Sequence, residues 1–298
     1  MIKGICLLGI LCMGICQVNG QELEPRSYAA LPTNLNAIAV LAGVSNGNVL
    51  LDASLPIQNS KITAYSFGLG YLHTFDLAGK LARIVVSEPF VNINGNAQIN
   101  GVDKSAVRSG FGDTRIRFGI NLIGSPPLDK KQFSKYSEET VVGISLITSI
   151  PTGLYYPSKL INAGSNRWGF KPEVGISKKI SRIYLEAYAG AWFYTHNNEY
   201  LGNHTLSQKP IRSLQAHACY YFKNRMWISI DGNWFAGGKT LIDNTPSGND
   251  FDNWRAGAAW SVPVAKGQSL QLQFNKGAFT NRGYNYSAVS LAYQYVFF

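Results

Sequence analysis

The stretch 113-DTRIRFGINL-122 alternates polar and apolar side chains with a period of two. Asp113, Arg115 and Arg117 fall on one face of this stretch, while Ile116 and Phe118 fall on the other. Because successive side chains of a β-strand point to opposite faces, the stretch predicts a strand with one charged face and one apolar face. The apolar face needs a nonpolar surrounding and the charged face needs a polar one.

The same period of two recurs along most of the chain, as in 168–177 and 253–262. A soluble β-sandwich would also alternate, but two features favour a transmembrane barrel. The apolar faces carry Trp and Phe near the strand ends, where barrels place aromatic girdles, and the opposite faces carry Gly, Ser, Asn and Gln with few charges. We therefore predict an all-β, antiparallel, up-and-down transmembrane β-barrel of about twelve strands, with these bounds: 35–45, 61–75, 80–90, 110–124, 141–150, 167–178, 181–195, 209–222, 225–236, 252–263, 268–277 and 285–297.

The connections between these strands alternate in length. The short ones are 76–79, 179–180, 223–224 and 264–267, and the long ones are 46–60, 91–109, 151–166, 196–208 and 237–251. Bacterial barrels have short periplasmic turns and longer external loops, so both termini are expected in the periplasm. The link 125–140 is long on the predicted periplasmic side, and we expect a small helical turn in it.

Composition limits the class of protein further. Charged residues make up 15% of the chain, against about 25% in typical globular proteins, and aromatic residues reach 12%. Mean hydropathy is −0.04, and no segment after residue 20 offers the roughly 18 consecutive apolar residues of a membrane helix. The net charge of +10 does not indicate nucleic acid as a partner, because no run of Lys and Arg reaches five residues and no nucleic-acid motif is present.

Residues 1–20 are predicted to be a secretory signal peptide. Lys3 supplies its positive end, an apolar run covers 5–15, and Val18 and Gly20 are small enough to precede a cleavage site. The alternative, a membrane anchor, is disfavoured because this run is too short to span a bilayer as a helix.

Cleavage before Gln21 would leave a mature chain of 278 residues with a net charge of +9. Its one cysteine would be Cys219, which excludes an internal disulfide. We divide the mature chain into an N-terminal periplasmic segment, 21–34, and an outer-membrane β-barrel, 35–298.

The last predicted strand ends in alternating aromatic residues. Tyr293, Tyr295 and Phe297 share one face, and Phe298 follows them. This pattern resembles the C-terminal signal of outer-membrane barrels, and a buried edge strand is the alternative. We predict that these four residues form an assembly signal, so that outer-membrane lipid and the barrel-assembly machinery are partners of the chain.

Several other segments resemble one family of barrels. They are Pro25-Arg26-Ser27-Tyr28 with Leu31-Pro32-Thr33-Asn34, Ser109-Gly110-Phe111-Gly112-Asp113 with Arg115, Pro151-Thr152-Gly153 through Asn166-Arg167-Trp168 to Lys171-Pro172-Glu173, and Leu185-Glu186-Ala187-Tyr188-Ala189-Gly190. Over most of the mature chain they resemble the outer-membrane transporters named for the meta-pathway of phenol degradation. The resemblance implies a barrel that takes up small aromatic or hydrophobic compounds, and it carries over no functional residues.

Charged side chains on the faces away from lipid are the candidate functional residues. A charge inside a barrel must be paired or hydrated, because burying it alone is costly. Either a salt-bridged network closes the lumen, or a polar constriction selects solutes. The lumen and constriction candidates are Asp113, Arg115, Arg117, Lys171, Glu173, Glu186, Asp231 and Arg255.

No catalytic or metal site is predicted. Ser213 and His217 share a predicted lumen face, but four residues of one strand separate them by roughly 13 Å, and no orienting Asn or Asp lies nearby in sequence. Asp243, Asp250 and Asp252 crowd one loop with a spacing that matches no known calcium loop, so a solvated loop is favoured. We expect no enzyme activity, no metal and no cofactor.

Three functions remain open at this point. The leading one is a channel or transporter in the outer membrane of a Gram-negative bacterium, which passes small solutes, aromatic or hydrophobic ones included, by passive diffusion. The second is a surface-exposed barrel that transports nothing and binds a partner with its long loops. The third is a barrel lipid hydrolase. The sequence shows no plug domain and no nucleotide motif that would couple transport to energy.

Overall fold

The computed structural model describes residues 23–48, 57–99, 102–248, 250–280 and 285–298. The predicted signal peptide and its cleavage site lie outside these residues. Among the described residues, no helix has the length and apolar character needed to span a membrane.

In chain order the elements are β1 (Asn36–Asn48), β2 (Ile57–Leu77), β3 (Lys80–Ile99), β4 (Val102–Phe111), β5 (Thr114–Ile123), α1 (Lys130–Phe133), β6 (Thr140–Ile150), β7 (Gly169–Ile180), β8 (Ile183–Tyr194), β9 (Asn197–Tyr200), β10 (His204–Gln208), β11 (Ile211–Tyr221), β12 (Trp227–Gly237), β13 (Thr240–Ile242), β14 (Thr245–Pro246), β15 (Phe251–Ala265), β16 (Gln268–Thr280) and β17 (Asn285–Phe297).

Twelve of these strands form one closed antiparallel barrel. They follow one another in the order β1, β2, β3, β5, β6, β7, β8, β11, β12, β15, β16 and β17, and pairing of β17 with β1 closes the ring. The predicted up-and-down transmembrane barrel of twelve strands is confirmed. We call the rim where β1 begins and β17 ends the terminal end, and the opposite rim the loop end.

The predicted period of two is visible in the exposure of the side chains. On β12, Ile230 is 71% exposed, whereas its neighbours Ser229 and Asp231 are 3% and 6% exposed. The apolar residues therefore face outward, where lipid replaces water, and the polar residues face inward. Trp254 and Trp260 lie on the same outward face of β15.

The terminal end carries the short turns and the link between β5 and β6. This link contains α1, which confirms the helical turn expected between 125 and 140. Asp129 begins the helix because its Oδ1 accepts hydrogen bonds from the amides of Lys131, at 2.7 Å, and Gln132, at 2.8 Å. The Gln132 side chain accepts from the Asp129 amide in return, which completes a capping box.

The predicted loop 91–109 is wrong. It is a β-hairpin in which β3 continues to Ile99 and β4 returns beside it. β2 and β3 have 21 and 20 residues, about twice the length that spans a bilayer, so their outer halves project from the loop end. We call this projection, residues 57–66, 91–99 and 102–111, the wing.

The apolar face of β3 changes sides where the wing begins. Ile84 and Val86 face outward within the barrel, whereas in the wing Ile93 and Ala97 lie on the inner face and the outer face is polar. The loop 151–166 packs against that inner face, since a Cβ on Gly95 would lie 2.7 Å from Cδ1 of Ile161. A separate sheet of β9, β10, β13 and β14 belongs to the other loops at this end.

Candidate functional site: the lumen

The structure places seven of the eight predicted lumen charges on the inner wall. Arg115 and Arg117 project from β5, Lys171 and Glu173 from β7, and three further residues, Glu186, Asp231 and Arg255, from β8, β12 and β15. All of these except Arg115 and Arg117 are less than a tenth exposed. The eighth, Asp113, precedes β5 and has a different role, described below.

The N-terminal segment lies inside the barrel. Leu23, Tyr28 and Leu31 are at most 2% exposed, and the carbonyl of Leu23 accepts a hydrogen bond from Gln273 on the inner wall. The described part of the predicted periplasmic segment therefore occupies the lumen, although the sequence shows no plug domain. The side of the membrane from which it enters stays a prediction.

Arg26 anchors this segment to the wall. Its guanidinium donates to Glu186 at 3.1 Å and to Glu138, in the link after β5, at 3.1 Å. Its backbone amide also donates to Glu186, at 2.6 Å, and the ring of Tyr184 lies 3.7 Å below the guanidinium. Glu186 therefore binds Arg26 of the N-terminal segment and not a cation on the opposite side of the barrel.

Arg117 connects the segment to β7. It donates to Glu24 of the segment and, at 2.6 Å, to Glu173, which Lys171 also contacts at 2.8 Å. Four side chains of alternating charge thus form a continuous chain across the lumen. Removing one member of a buried ion pair costs about 3–5 kcal/mol because the other charge stays desolvated, so this network resists opening.

Tyr28 fits into a gap in the wall made by two glycines. A Cβ on Gly143 or Gly175 would lie 2.5 Å or 2.2 Å from its ring. The Tyr28 hydroxyl bonds Ser145 at 2.9 Å and donates to Glu173 at 3.1 Å. Arg83 donates to the carbonyl of Ala29 at 2.9 Å. These contacts fix the position of both backbone and ring.

Replacing Gly175 by leucine should displace the N-terminal segment. The new side chain occupies the place of the Tyr28 ring, so we expect a several-fold rise in single-channel conductance in planar bilayers. Gly232→Leu is the matched control, because Gly232 faces lipid and a Cβ there meets nothing within 4 Å. An unchanged conductance in a correctly inserted Gly175→Leu barrel would contradict the role of this contact.

An apolar layer closes the terminal end below these contacts. Leu31 of the segment and Leu35, just before β1, pack with Leu41, Leu72 and Leu81 of the wall, and Phe133 of α1 contacts the same cluster. We call this layer the apolar floor. The leucines are at most 6% exposed, so water has no path between them.

The structure pairs His217 with Asp231 and not with a serine. Nδ1 of His217 lies 2.8 Å from Asp231, and Ser229 donates to the same carboxylate at 2.9 Å. The hydroxyl of Ser213 donates to Asn233 at 3.2 Å. Ser213 and His217 therefore do not form a nucleophile and base pair in this arrangement.

Asp113 holds a loop over the loop end. Its carboxylate accepts hydrogen bonds from the amides of Gly153, at 3.1 Å, and Ser165, at 2.9 Å.

Two arginines of the inner wall contact aromatic rings. Arg115 lies 5.8 Å from the ring centroid of Trp192. Arg255 stacks on Tyr286 at 3.9 Å and donates a hydrogen bond to Asn275. These two cations thus contact aromatic faces.

The loop that contains Asp243 is bonded into the small sheet of β9, β10, β13 and β14. Asp243 accepts from the Thr205 amide at 2.8 Å and bonds Nδ1 of His204 at 2.5 Å. The bond from Thr205, and next that from His204, lower the pKa of the Asp243 carboxyl. Asp252 accepts from the indole of Trp234 at 2.8 Å. Among the described residues no group of His, Cys, Asp and Glu could hold a metal ion.

Sequence reasoning missed the partners that the segment contributes. Glu24, Arg26 and Tyr28 occupy no strand, so no alternation marked them. Arg83 and Glu138 were missed as well, although Arg83 alternates with Ala82 and Ile84 on β3 and could have been included.

The barrel is similar in fold to solved outer-membrane proteins. The COG4313 outer membrane channel from Pseudomonas putida F1 superimposes with a TM-score of 0.77 at 19% identity, over 93% of this chain and 100% of that chain. The β domain of the Bordetella autotransporter BrkA gives 0.51 at 10% identity, over 89% and 100%. A mutant of the TodX monoaromatic hydrocarbon channel gives 0.50 at 9% identity, over 90% and 91%.

Identities of this size establish a shared fold and nothing more about the chain. No curated protein has a sequence that matches it. A family pattern, however, matches residues 42–294, which is most of the barrel. The resemblance noted in the sequence is thereby confirmed, and the chain belongs to the family described as "Putative MetA-pathway of phenol degradation".

Proposed function

We propose that this chain is an outer-membrane channel of a Gram-negative bacterium that passes small hydrophobic solutes by passive diffusion. In this proposal the loop end is external, both termini are periplasmic, and the N-terminal segment closes the periplasmic end. The main support for this proposal is that small side chains line one side of the lumen wall, which leads to the apolar floor.

This smooth wall is formed by the inner faces of β17, β1 and β2. Its half-buried residues are Gly43, Ser45, Ala64, Ser66, Ala288 and Ser290. They lie in two cross-strand rows, since Gly43 pairs with Ser66 and Ser290, and Ser45 pairs with Ala64 and Ala288. Small side chains leave the lumen widest here, and a barrel of twelve strands is between the filled and the open sizes.

The opposite wall is packed. Ser213, Asn233 and Asn253 are at most 2% exposed, and the external side of that wall carries a buried cluster with Trp192 and Phe235. A solute therefore has space along the smooth wall and none along β11, β12 and β15. One position below Gly43 on the same face, Leu41 begins the apolar floor.

The chemistry of this route suits solutes with little charge. The six half-buried residues of the smooth wall carry no ionisable side chain, and the floor is built from leucines and alanines. In the same proposal the buried charges hold the N-terminal segment in place and do not line the path. The TodX channel, which is similar in fold and is named for monoaromatic hydrocarbons, agrees with this substrate class.

The test is uptake of a labelled monoaromatic hydrocarbon by Gram-negative cells that express the chain, at limiting solute concentration. Ala288→Leu narrows the smooth wall and should lower the initial rate several-fold. Ala42→Leu adds the same side chain on the lipid face of β1 and should leave the rate unchanged. Equal rates for cells with and without the chain would refute the proposal and leave the surface-binding function.

A further inference from the structure

The outer face of the wing and the adjoining end of β1 carry an array of uncharged polar side chains, beside which Val107 of β4 is also exposed. Asn92 and Asn94 lie on β3, and pairing aligns Asn92 with Ser109 of β4 and Asn94 with Thr63 of β2. We call this array the polar ladder. Its members are Asn46, Thr63, Asn92, Asn94, Asn96 and Ser109.

The polar ladder continues the lipid-facing surface of the barrel. Phe67 and Phe90 form a cross-strand pair on the outer face, and Phe111 packs edge-on against Phe90 at 5.4 Å. Aromatic residues in this position mark the boundary of the acyl chains. Asn92 is the next outward residue of β3, so the polar ladder starts directly above this aromatic pair.

The composition of the polar ladder is unusual for a strand in water. Asn is depleted in strands, yet it occupies three successive outward positions of β3. The charged side chains described on this outer face of the wing are Lys61 and Asp103, which have opposite signs. A strand that is merely hydrated would take Thr, Lys or Glu at less cost to its strand propensity.

Hydrogen bonds within the polar ladder orient its amides. Asn92 donates to Ser109 at 2.5 Å, Asn94 donates to Asn92 at 2.9 Å, and Asn46 donates to Thr63 at 2.6 Å. A carboxamide has two donor hydrogens and an oxygen with two lone pairs, so each keeps free capacity for both roles. Neutral groups that donate and accept are complementary to sugar hydroxyls.

We propose that the polar ladder binds the saccharide headgroup of the outer-leaflet glycolipid, the core sugars of lipopolysaccharide. The occupant follows from continuity, because the acyl chains of one lipid lie against Phe67 and Phe90 and its headgroup stands directly above them. From Asn92 to Asn96 the polar ladder extends about 13 Å along β3, the scale of a few sugar rings. The inference rests on the outer-membrane location and is independent of transport.

The test uses the purified, delipidated full mature chain and two probes, lipopolysaccharide with its complete core and lipid A without core sugars. The parent should bind the core-bearing probe roughly tenfold more tightly, since a few hydrogen bonds contribute about that much. Asn94→Val with Asn96→Val keeps strand-compatible side chains, removes both carboxamides and should abolish the preference. Asn36→Val makes the same change on the outer face at the terminal end and should retain it.

Equal affinity of the parent for both probes would overturn the inference and favour a protein partner for the wing. A preserved preference in the folded double variant would overturn it as well. If the double variant fails to fold, Asn96→Asp serves instead, because it keeps the shape and removes the two amide donors. It should weaken binding of the core-bearing probe more than binding of lipid A, so that the preference falls.

Discussion

Removing residues 23–31 should convert the closed barrel into an open pore. Gln21 and Glu22 are kept and joined to Pro32, so that the predicted cleavage site is preserved. The deletion removes Leu23, Glu24, Arg26 and Tyr28 from the lumen, together with Leu31 of the apolar floor. We expect stable ion conductance in planar bilayers where the parent shows little or none, and a large rise in passage of small hydrophilic solutes.

The deletion removes Arg26, the cation that pairs with Glu186, and Glu24, the anion that pairs with Arg117. Glu173 keeps both of its cations, Arg117 and Lys171. Water that enters the opened lumen hydrates these charges, so the barrel is expected to remain folded. Arg212→Ala is the control for loss of a positive charge alone, since Arg212 lies on the outer face of β11. A correctly inserted deletion variant that stays electrically silent would show that the closure lies elsewhere.

The barrel strands could be predicted because lipid outside and polar contacts inside both act on the same period. Ile230 and Asp231 are neighbours in sequence, yet one faces lipid and the other faces the lumen. A closed barrel is the regular structure that gives apolar and polar side chains these opposite surroundings along twelve segments. The same period fixed which charges point inward, including Lys171 and Arg255.

The wing could not be predicted from the same signal. Asn92, Asn94 and Asn96 have low strand propensity, and Gly95 between them favours a turn, so 91–109 resembled a loop. Pairing with β2 on one side and β4 on the other overrides that propensity. The apolar face also changes sides there, because the loop 151–166 packs against the inner face of the wing.

The N-terminal segment was beyond sequence patterns for a different reason. It forms no ladder, and its contacts join residues far apart in the chain, as between Arg26 and Glu186. The sequence feature that accommodates the segment lies on the barrel strands, in glycines such as Gly143 and Gly175 that leave space for the Tyr28 ring. On a lumen face those glycines look like ordinary small residues until the ring is in place.

Deleting Phe297 and Phe298 should prevent assembly in cells without preventing refolding in detergent. Phe297 is paired with Asn36, where β17 meets β1, and its ring stacks on Tyr295 at 5.6 Å. Lys130 lies 3.9 Å from the ring centroid of Phe298, which joins the C-terminus to α1. One cross-strand pair at the rim contributes only about 0.2–1 kcal/mol, so its loss alone leaves a stable barrel.

A recognition signal, in contrast, is lost as a whole when its last aromatics are removed. Tyr293 and Tyr295 remain exposed on the lipid face in the truncated chain, which limits the change to the final residues. We expect a large loss of heat-modifiable barrel in outer-membrane fractions, with normal export and near-parental refolding of the purified chain. Phe279→Ala, which removes a 76% exposed aromatic near the loop end of β16, should assemble normally. Failure of the truncated chain in both assays would assign the two residues to barrel stability, and success in both would show that the assembly signal lies elsewhere.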